Sequence, residues 1–509
     1  MADHDVRRAL ALYDTPRDPR LLELTVSAVQ QANGMVKQLE ADARYIGSHF
    51  DFPTAVSYDD RGIPRFTREN ITDYGDRFGL RRTKFHDFAF EDVPGLVQLI
   101  DYVLQSEHLT DRFGPGALMA KTDQDFTRIG IGLFALNLLD RARHTFGPDP
   151  TEGDLAALYL QREPEFFADK LPVEIVVPLV MTKFEIQGRV SLARDLHIER
   201  LADDDQLARV LGSFSHGPVN SFVAEAATHA LVWTGYEVPP HFNWFMGKAD
   251  FYPNEIIDTA VAALRLVVDA AVGYAQILLR PVGWAHSWAG PLPPLIRAAT
   301  LHRYPRSLDL APGRYELPTI PNDLLSVAGV AYERLLEAAS EVRLAARRLN
   351  SAMLRDREDD ALLDACIALE AVLGEHTEVV HKLALRVAAL STLSPVPLEL
   401  GAPDVFRAMK RIHTYRSKLI HGAGDAAKAA VFSPGTGAKA WGTLDLALRF
   451  VRTVILVLLD HPEFVRSAAI EEALLATALT PKQVEQELAT DAASDAGEPS
   501  EGNGSEGPV

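Results

Sequence analysis

The chain has 509 residues, 47% hydrophobic and 24% charged, with a formal net charge of −19. That length exceeds one ordinary domain and that apolar content excludes wholesale disorder, so at least two units with their own cores are expected. The acidic balance excludes general adhesion to nucleic acid, leaving only a local basic patch for such binding, and the single cysteine, Cys366, excludes an internal disulfide framework or a cysteine-based metal cluster within one chain.

The N-terminus, MADHDVRRALALYDTPRDPR, mixes acids with bases around no apolar segment, and no apolar run reaches the roughly 18 residues of a membrane span. A cytoplasmic protein with no membrane partner is expected. Residues 18–46 carry a broken helical period through Leu21, Leu22, Leu24, Val26, Val29, Val36 and Leu39. They lead into FDFPTAVSYDDRGIPRFT, which reads as loops or short strands. Helical patterns return at 94–107 and 127–145. The Val- and Ile-rich segment 173–201 reads as strands of a sheet, with another strand at 228–238.

From Asn254 to Leu279 the apolar period reads as a long helix, and the proline-rich 281–320, with PVGWAHSWAGPLPPL and LAPGRYELPTIP, reads as a loop-rich connection and domain boundary. Beyond Pro321 the segments 322–350, 356–374, 377–393, 403–421 and 438–460 all show 3.6 periodicity. The terminal ATDAASDAGEPSEGNGSEGPV holds five acids and no base, the signature of a disordered tail. The expected class is α+β: a mixed α/β region over 1–320, in one or two subdomains, an all-α bundle over 321–478, and an acidic tail over 479–509. No internal repeat is present.

The stretch HTYRSKLIHGAG, 413–424, contains Arg416 and His421 in an R-x4-H spacing. The spacing alone says little, since Arg44/His49, Arg81/His86 and Arg297/His302 share it. Context separates the pair at 416 and 421. It closes a helix starting near Asp404, with Gly422 and Gly424 as a stop. Residues 404–421 hold five bases (Arg407, Lys410, Arg411, Arg416, Lys418) against one acid, the local patch that the composition requires. Val405, Met409, Ile412 and Leu419 form an apolar stripe that Arg416 joins, which places its guanidinium at a partly buried seam in need of an anion. Upstream, DDALLDACIALEAVLG is apolar nearly all round. Its acids Asp364 and Glu370 are expected to pair with bases such as Arg416 or Arg386, because a lone buried charge is costly.

In order, RRLNSAMLRDREDDALLDACIALEAVLG, HKLALRVAALS and YRSKLIHG followed by a long amphipathic helix resemble the HEPN superfamily, and within it the Apea-like HEPN domains, over roughly 330–475. The resemblance implies an α-helical bundle that pairs with a second copy, so that arginine and histidine from both line one cleft. In catalytic members that cleft cuts RNA without metal, often in toxins or antiviral effectors. Arg416 and His421 match the motif, and Glu370 and Asp364 the acidic positions of the first core helix. Many catalytic members carry Asn, Asp or His after the arginine, where this chain has Ser417.

The residue types suit metal-free RNA cleavage. Histidine exchanges protons near neutral pH, and arginine holds a fixed fork of positive charge on phosphate oxygens. Lys410, Arg411 and Lys418 are candidates for flanking phosphates and Tyr415 for stacking on a base. Plain structural roles stand beside these: Arg416 as a salt-bridge partner of Glu370, His421 as a cap, Cys366 as packed core, His413 as a surface residue. His376 and His381 lie off a common helical face, and SPGTGAKA departs from the phosphate-loop pattern, so no metal and no cofactor are expected. The first 320 residues offer no catalytic constellation, and a sensing or regulatory role for them rests on analogy. The leading expectation is a homodimeric endoribonuclease with RNA as substrate, acting in stress or phage defence under a regulatory partner or phage-derived trigger. The alternative is an inactive dimerisation, RNA-binding or regulatory module.

Overall fold

The computed structural model describes residues 11–113, 124–211, 219–240, 252–268, 270, 272–310, 317–374, 379–396, 398–421, 426–434 and 439–476. The expected acidic tail and the glycines at 422 and 424 lie outside them. The chain is mixed α+β and divides into two compact units, Met1–Glu337 with Asn350–Ala361, and Ala338–Leu349 with Leu362–Val509. Among the described residues no helix is long and apolar enough to cross a membrane.

The first unit opens on helix α1, Pro19–Ala41, started by Pro19 in its first turn and by the Asp18 carboxylate, which accepts from the Leu21 amide at 2.9 Å. Its stripe of Leu21, Leu24, Ala28, Val29, Ala32 and Val36 is buried among α2 (Pro94–Gln105), α3 (Gln124–Phe146) and α4 (Glu152–Arg162) in one apolar cluster. The segment read as loops or short strands is a long antiparallel hairpin of β1 (Ser48–Tyr58) and β2 (Pro64–Thr72), bent by register shifts.

A six-stranded antiparallel sheet follows, built from β3 (Leu171–Val180), β4 (Arg189–Ala193), β5 (Leu196–Arg200), β6 (Ala227–Val238), β7 (Gly273–Pro281) and β8 (Ile296–Arg303) in the order β8-β7-β3-β6-β5-β4. Two expectations are corrected here. The helix read over 254–279 ends at Val267 as α6 (Asn254–Val267), and GYAQILLRP is instead strand β7. Every residue of β7 is buried, so it has no polar face to produce an alternation, and its apolar run merges in the sequence with that of α6. The proline-rich connection, read as loop, contains the edge strand β8.

The division expected at 320–321 is displaced as well. Helix α7, Asn322–Glu337, belongs to the first unit, where the Trp233 indole lies 3.4 Å from the Tyr332 hydroxyl. Gly329 approaches the β4 backbone so closely that a Cβ there would come within 2.0 Å of the Leu192 carbonyl oxygen. The later segment Asn350–Ala361 is retained in the same unit by α6: Arg265 donates to the Asn350 side-chain oxygen at 3.0 Å, and the Asn350 amide donates to the Asp258 carbonyl at 3.0 Å.

The sheet buries charge. Arg280 of β7 is only 4% exposed and donates to Glu174 of β3 at 2.8 Å and to Asp205 of α5 (Asp203–Val210) at 2.7 Å, with Glu199 of β5 at 2.7 Å. Burial alone would depress its basicity, but the three surrounding carboxylates outweigh that and hold the guanidinium charged.

The second unit is helical, with α8 (Ser340–Leu354), α9 (Glu358–Leu373), α10 (Val379–Ser391), α11 (Ala402–Ile420), α12 (Thr443–Asp460) and α13 (Ser467–Ala476), the first two running across the division. The single helix read over 322–350 is two, α7 and α8. Cys366 of α9 is fully buried, as expected of a core residue, and so are Leu362, Leu369, Leu383, Val387, Met409 and Phe450 of the same unit.

Replacing Arg280 by alanine removes the buried cation shared by Glu174, Glu199 and Asp205 and leaves to Glu174 and Glu199 the partly exposed Arg189, at 3.5 and 2.9 Å, which should cost about 3–5 kcal/mol. Urea unfolding followed by tryptophan fluorescence checks this, since Trp233, Trp284 and Trp288 lie in the first unit. An unchanged midpoint would refute the structural weight given to Arg280.

Candidate functional site

The nine residues singled out in the sequence lie on α9 and α11 or at the end of α11. Arg416 pairs through Nη1 with Glu370, as expected, and the two side chains retain 25% and 28% exposure, so the ion pair reaches the surface. The Arg416 Nε is buried with no hydrogen-bond partner among the described residues. Asp364 is buried and pairs with Arg348 at 2.9 Å rather than with Arg416 or Arg386, while Arg386 is committed to the Leu373 carbonyl at 2.7 Å and to Glu471 at 2.6 Å. Each buried charge thus has its counter-charge, through other partners than those expected for Asp364.

His421 is the C-cap of α11. Its backbone amide donates to the Ser417 carbonyl at 3.1 Å, and its side chain is exposed. Ser417 and Lys410 are exposed too, with the Lys410 ammonium 5.5 Å from the Phe406 ring centroid. Lys418 is half-buried. Arg411 is tied to the backbone carbonyls of Val431 and Lys428, which turns it from a phosphate ligand into a clamp on the segment following the helix.

Two assignments are corrected. Tyr415 is 6% exposed, packed into the bundle, and so presents no ring for a base to stack on. His413, expected at the surface, is 8% exposed, because it stands four residues from Met409 and beside Ile412 on the stripe that faces the core. Burial depresses its basicity. Glu370 opposes and Arg416 reinforces that shift, so a neutral ring lies close to the Arg416–Glu370 pair. Nε2 of His413 is buried with no hydrogen-bond partner among the described residues.

The first unit holds a cavity of about 620 Å³ that no sequence motif marks. The hairpin mouth supplies His49 from the start of β1 and Asp73 from just beyond β2, while α3 supplies Asn137 and Asp140. The lining also includes His286 and Trp288 from the loop leaving β7, and Arg162 and Glu165. That loop is pinned to α3: the Trp288 amide donates to the Asn137 side-chain oxygen at 3.0 Å, and the Asn137 amide donates to the Trp288 carbonyl at 2.6 Å. Phe78, Phe113, Phe134 and Phe166 add aromatic surface.

Two imidazoles in this cavity are backed by carboxylates. His286 Nδ1 lies 2.6 Å from Glu165, which also receives Arg162 at 3.3 Å. Burial works against the Glu165 charge, but the facing imidazole and guanidinium more than offset it and hold the carboxyl below its ordinary range. His49 lies between two acids, Nε2 3.4 Å from Asp140 and Nδ1 3.5 Å from Asp73, and the Asp140 contact raises its basicity against the opposing effect of burial. For Asp140, burial pushes the pKa up, yet hydrogen bonding to His144, to His49 and to the Tyr74 amide prevails and brings it to about 2. Such perturbed groups converging on one cavity are the usual mark of a working site.

No family model matches the chain, and it matches neither a curated protein nor a solved structure.

Two measurements follow from the helical unit. Burial lifts the Cys366 thiol to about 12, so native protein should resist a thiol reagent at pH 8 and label once per chain on unfolding. Rapid native labelling would contradict the packing. His413 is held neutral, so unfolding takes up a proton below its free pKa of about 6.5. Urea stability of the helical unit, followed by circular dichroism, should therefore fall from pH 7.5 to 5.5 more steeply in wild type than in His413→Gln.

Proposed function

We propose that the helical unit is a metal-independent HEPN-type endoribonuclease, a cytoplasmic effector of stress or antiphage defence in which Arg416 and His421 act on the RNA phosphodiester. The observation that carries this reading is the Arg416–Glu370 pair, which reaches the surface on the same helix that ends in an exposed His421. Arg416 has a fixed charge and a planar fork for the phosphate oxygens as negative charge grows on them. His421, beside the helix C-terminus, exchanges the proton that leaves the 2′-hydroxyl or joins the departing oxygen. Glu370 orients the arginine.

Helix geometry supports a dimer in this reading. Residues five apart on an α-helix point about 140° away from each other, so one copy does not bring both groups to one face. A second copy packed against α11 would set its His421 beside the Arg416 of the first. The first unit, on the same reading, regulates the pair.

One observation favours the non-catalytic alternative, an RNA-binding or dimerisation module: Glu370 already engages the guanidinium, and Ser417 follows it where many catalytic members of the resembled family carry Asn, Asp or His. Incubation of the purified protein with RNA in EDTA separates the two. Cleavage lowered by 100-fold or more in Arg416→Ala and His421→Ala is expected, the size of a lost acid–base or charge-stabilising group. Equal cleavage by all three proteins sinks the assignment. RNA binding without cleavage selects the alternative.

A further inference from the structure

We propose that His49, Asp73 and Asp140 bind one divalent transition-metal cation, zinc foremost, at the wall of the first unit's cavity, leaving a coordination position open to an anionic ligand. This goes beyond the RNA reading and is independent of it, since that reaction is metal-free and uses the other unit.

The three side chains come from two segments of chain, the hairpin mouth and α3, yet their ligand atoms all lie within 4.8 Å of one another. Each carboxylate is held so that one oxygen remains available. Asp73 Oδ1 accepts from the Gly75 amide at 3.0 Å, and Asp140 Oδ1 accepts from the Tyr74 amide at 3.1 Å. The other oxygen of each, Oδ2, is turned to His49. Behind them His144 Nε2 lies 2.9 Å from the Thr72 carbonyl, which makes it an N–H donor, and 3.5 Å from Asp140 Oδ1. A hydrogen-bonded outer layer of this kind is what orients the ligands of a metal.

The distances favour a cation over a hydrogen-bonded triad. His49 Nε2 stands 3.4 Å from Asp140 Oδ2 and its Nδ1 3.5 Å from Asp73 Oδ2, both beyond the usual N–H···O length of about 2.9 Å, and one of the two nitrogens would serve as the ligand atom. Ligand atoms about 2.1 Å from a tetrahedral centre lie about 3.4 Å from one another, so the gap between His49 Nε2 and Asp140 Oδ2 has the span of one coordination edge. Among the described residues the ion pairs of Asp73 and Asp140 are with histidines alone, with no lysine or arginine. Two neighbouring carboxylates, one of them buried, thus have no lysine or arginine within ion-pair distance among the described residues. One imidazole with two carboxylates suits zinc, or manganese as the harder alternative.

The open side of the site is the cavity, and a second observation there points to a ligand. Arg112 lines the same cavity, and its Nη1 is buried with no hydrogen-bond partner among the described residues. A guanidinium nitrogen in that state calls for an anionic oxygen. Three protein ligands with a remaining position facing a cavity is the arrangement of zinc sites that bind water or substrate, as opposed to closed structural ones.

The test uses the full chain, stripped with EDTA, dialysed and titrated with Zn²⁺ alone, with bound metal counted by mass spectrometry after gel filtration and affinity read by calorimetry. Wild type and His421→Ala should each hold one zinc per chain. His49→Gln and Asp73→Asn should lower affinity at least 10-fold, and zinc should raise the melting temperature of wild type but not of Asp73→Asn. Circular dichroism verifies folding. If His49→Gln fails to fold, Asp73→Asn, at a partly exposed position, decides the question. Wild type without stoichiometric zinc, or folded variants that bind as wild type does, would overturn the proposal.

Discussion

A single buried guanidinium sets the terms for the first unit. Arg280 holds Glu174, Glu199 and Asp205 around it, and these four groups come from three strands and a helix. A slip of one residue in β7 would turn Arg280 to the opposite face of the sheet and leave the carboxylates facing one another, so the network fixes the register of the sheet as well as its charge balance. Two residues later the chain leaves the sheet and forms the WAHSWAG wall, where Asn137 grips Trp288 from both sides. The position of His286 in the cavity is thus inherited from the register of β7. A loop of this composition, anchored at both ends, behaves as part of the scaffold.

The two units handle charge in opposite ways. In the first, imidazoles meet acids inside a concavity with aromatic walls, an environment that strengthens every electrostatic interaction within it. In the second, a basic helix stands out against a protein of net charge −19, and its arginines are largely occupied: Arg407 by Asp404, Arg411 by backbone carbonyls, Arg416 by Glu370. A polyanion approaching α11 therefore meets charges already partly balanced, and has to compete with Glu370 for the guanidinium of Arg416.

What could be read from the sequence follows from how each element is exposed. α1, α10, α11 and α12 each have one wet face, so their periods were legible. β7 has none, and its apolar run reads as the end of a helix. The Arg416–Glu370 seam was legible because an arginine on an apolar stripe requires an acid nearby. His413 was not, because a polar residue on the same stripe was assigned by its type and not by its position. The cavity was the least legible feature. In the sequence His49 is one instance of a common spacing and His286 part of a proline-rich connection; what unites them is the packing of a hairpin, a helix and a loop distant from one another in the chain. No local pattern encodes such a meeting.

The bounds of the two units carry a consequence for how this architecture can be divided. The chain passes from one to the other after Glu337, after Leu349 and after Ala361, so the helices α8 and α9 are shared between them. Modules joined end to end through one linker can be exchanged at that joint. Here no single joint exists. A helical unit borrowed whole from elsewhere would arrive without the segment 350–361 that α6 holds, and the residues of α6 that hold it, Arg265 and Asp258, would lose their partner Asn350. No single cut therefore exchanges either unit without severing α8 or α9 or taking Asn350 away from α6.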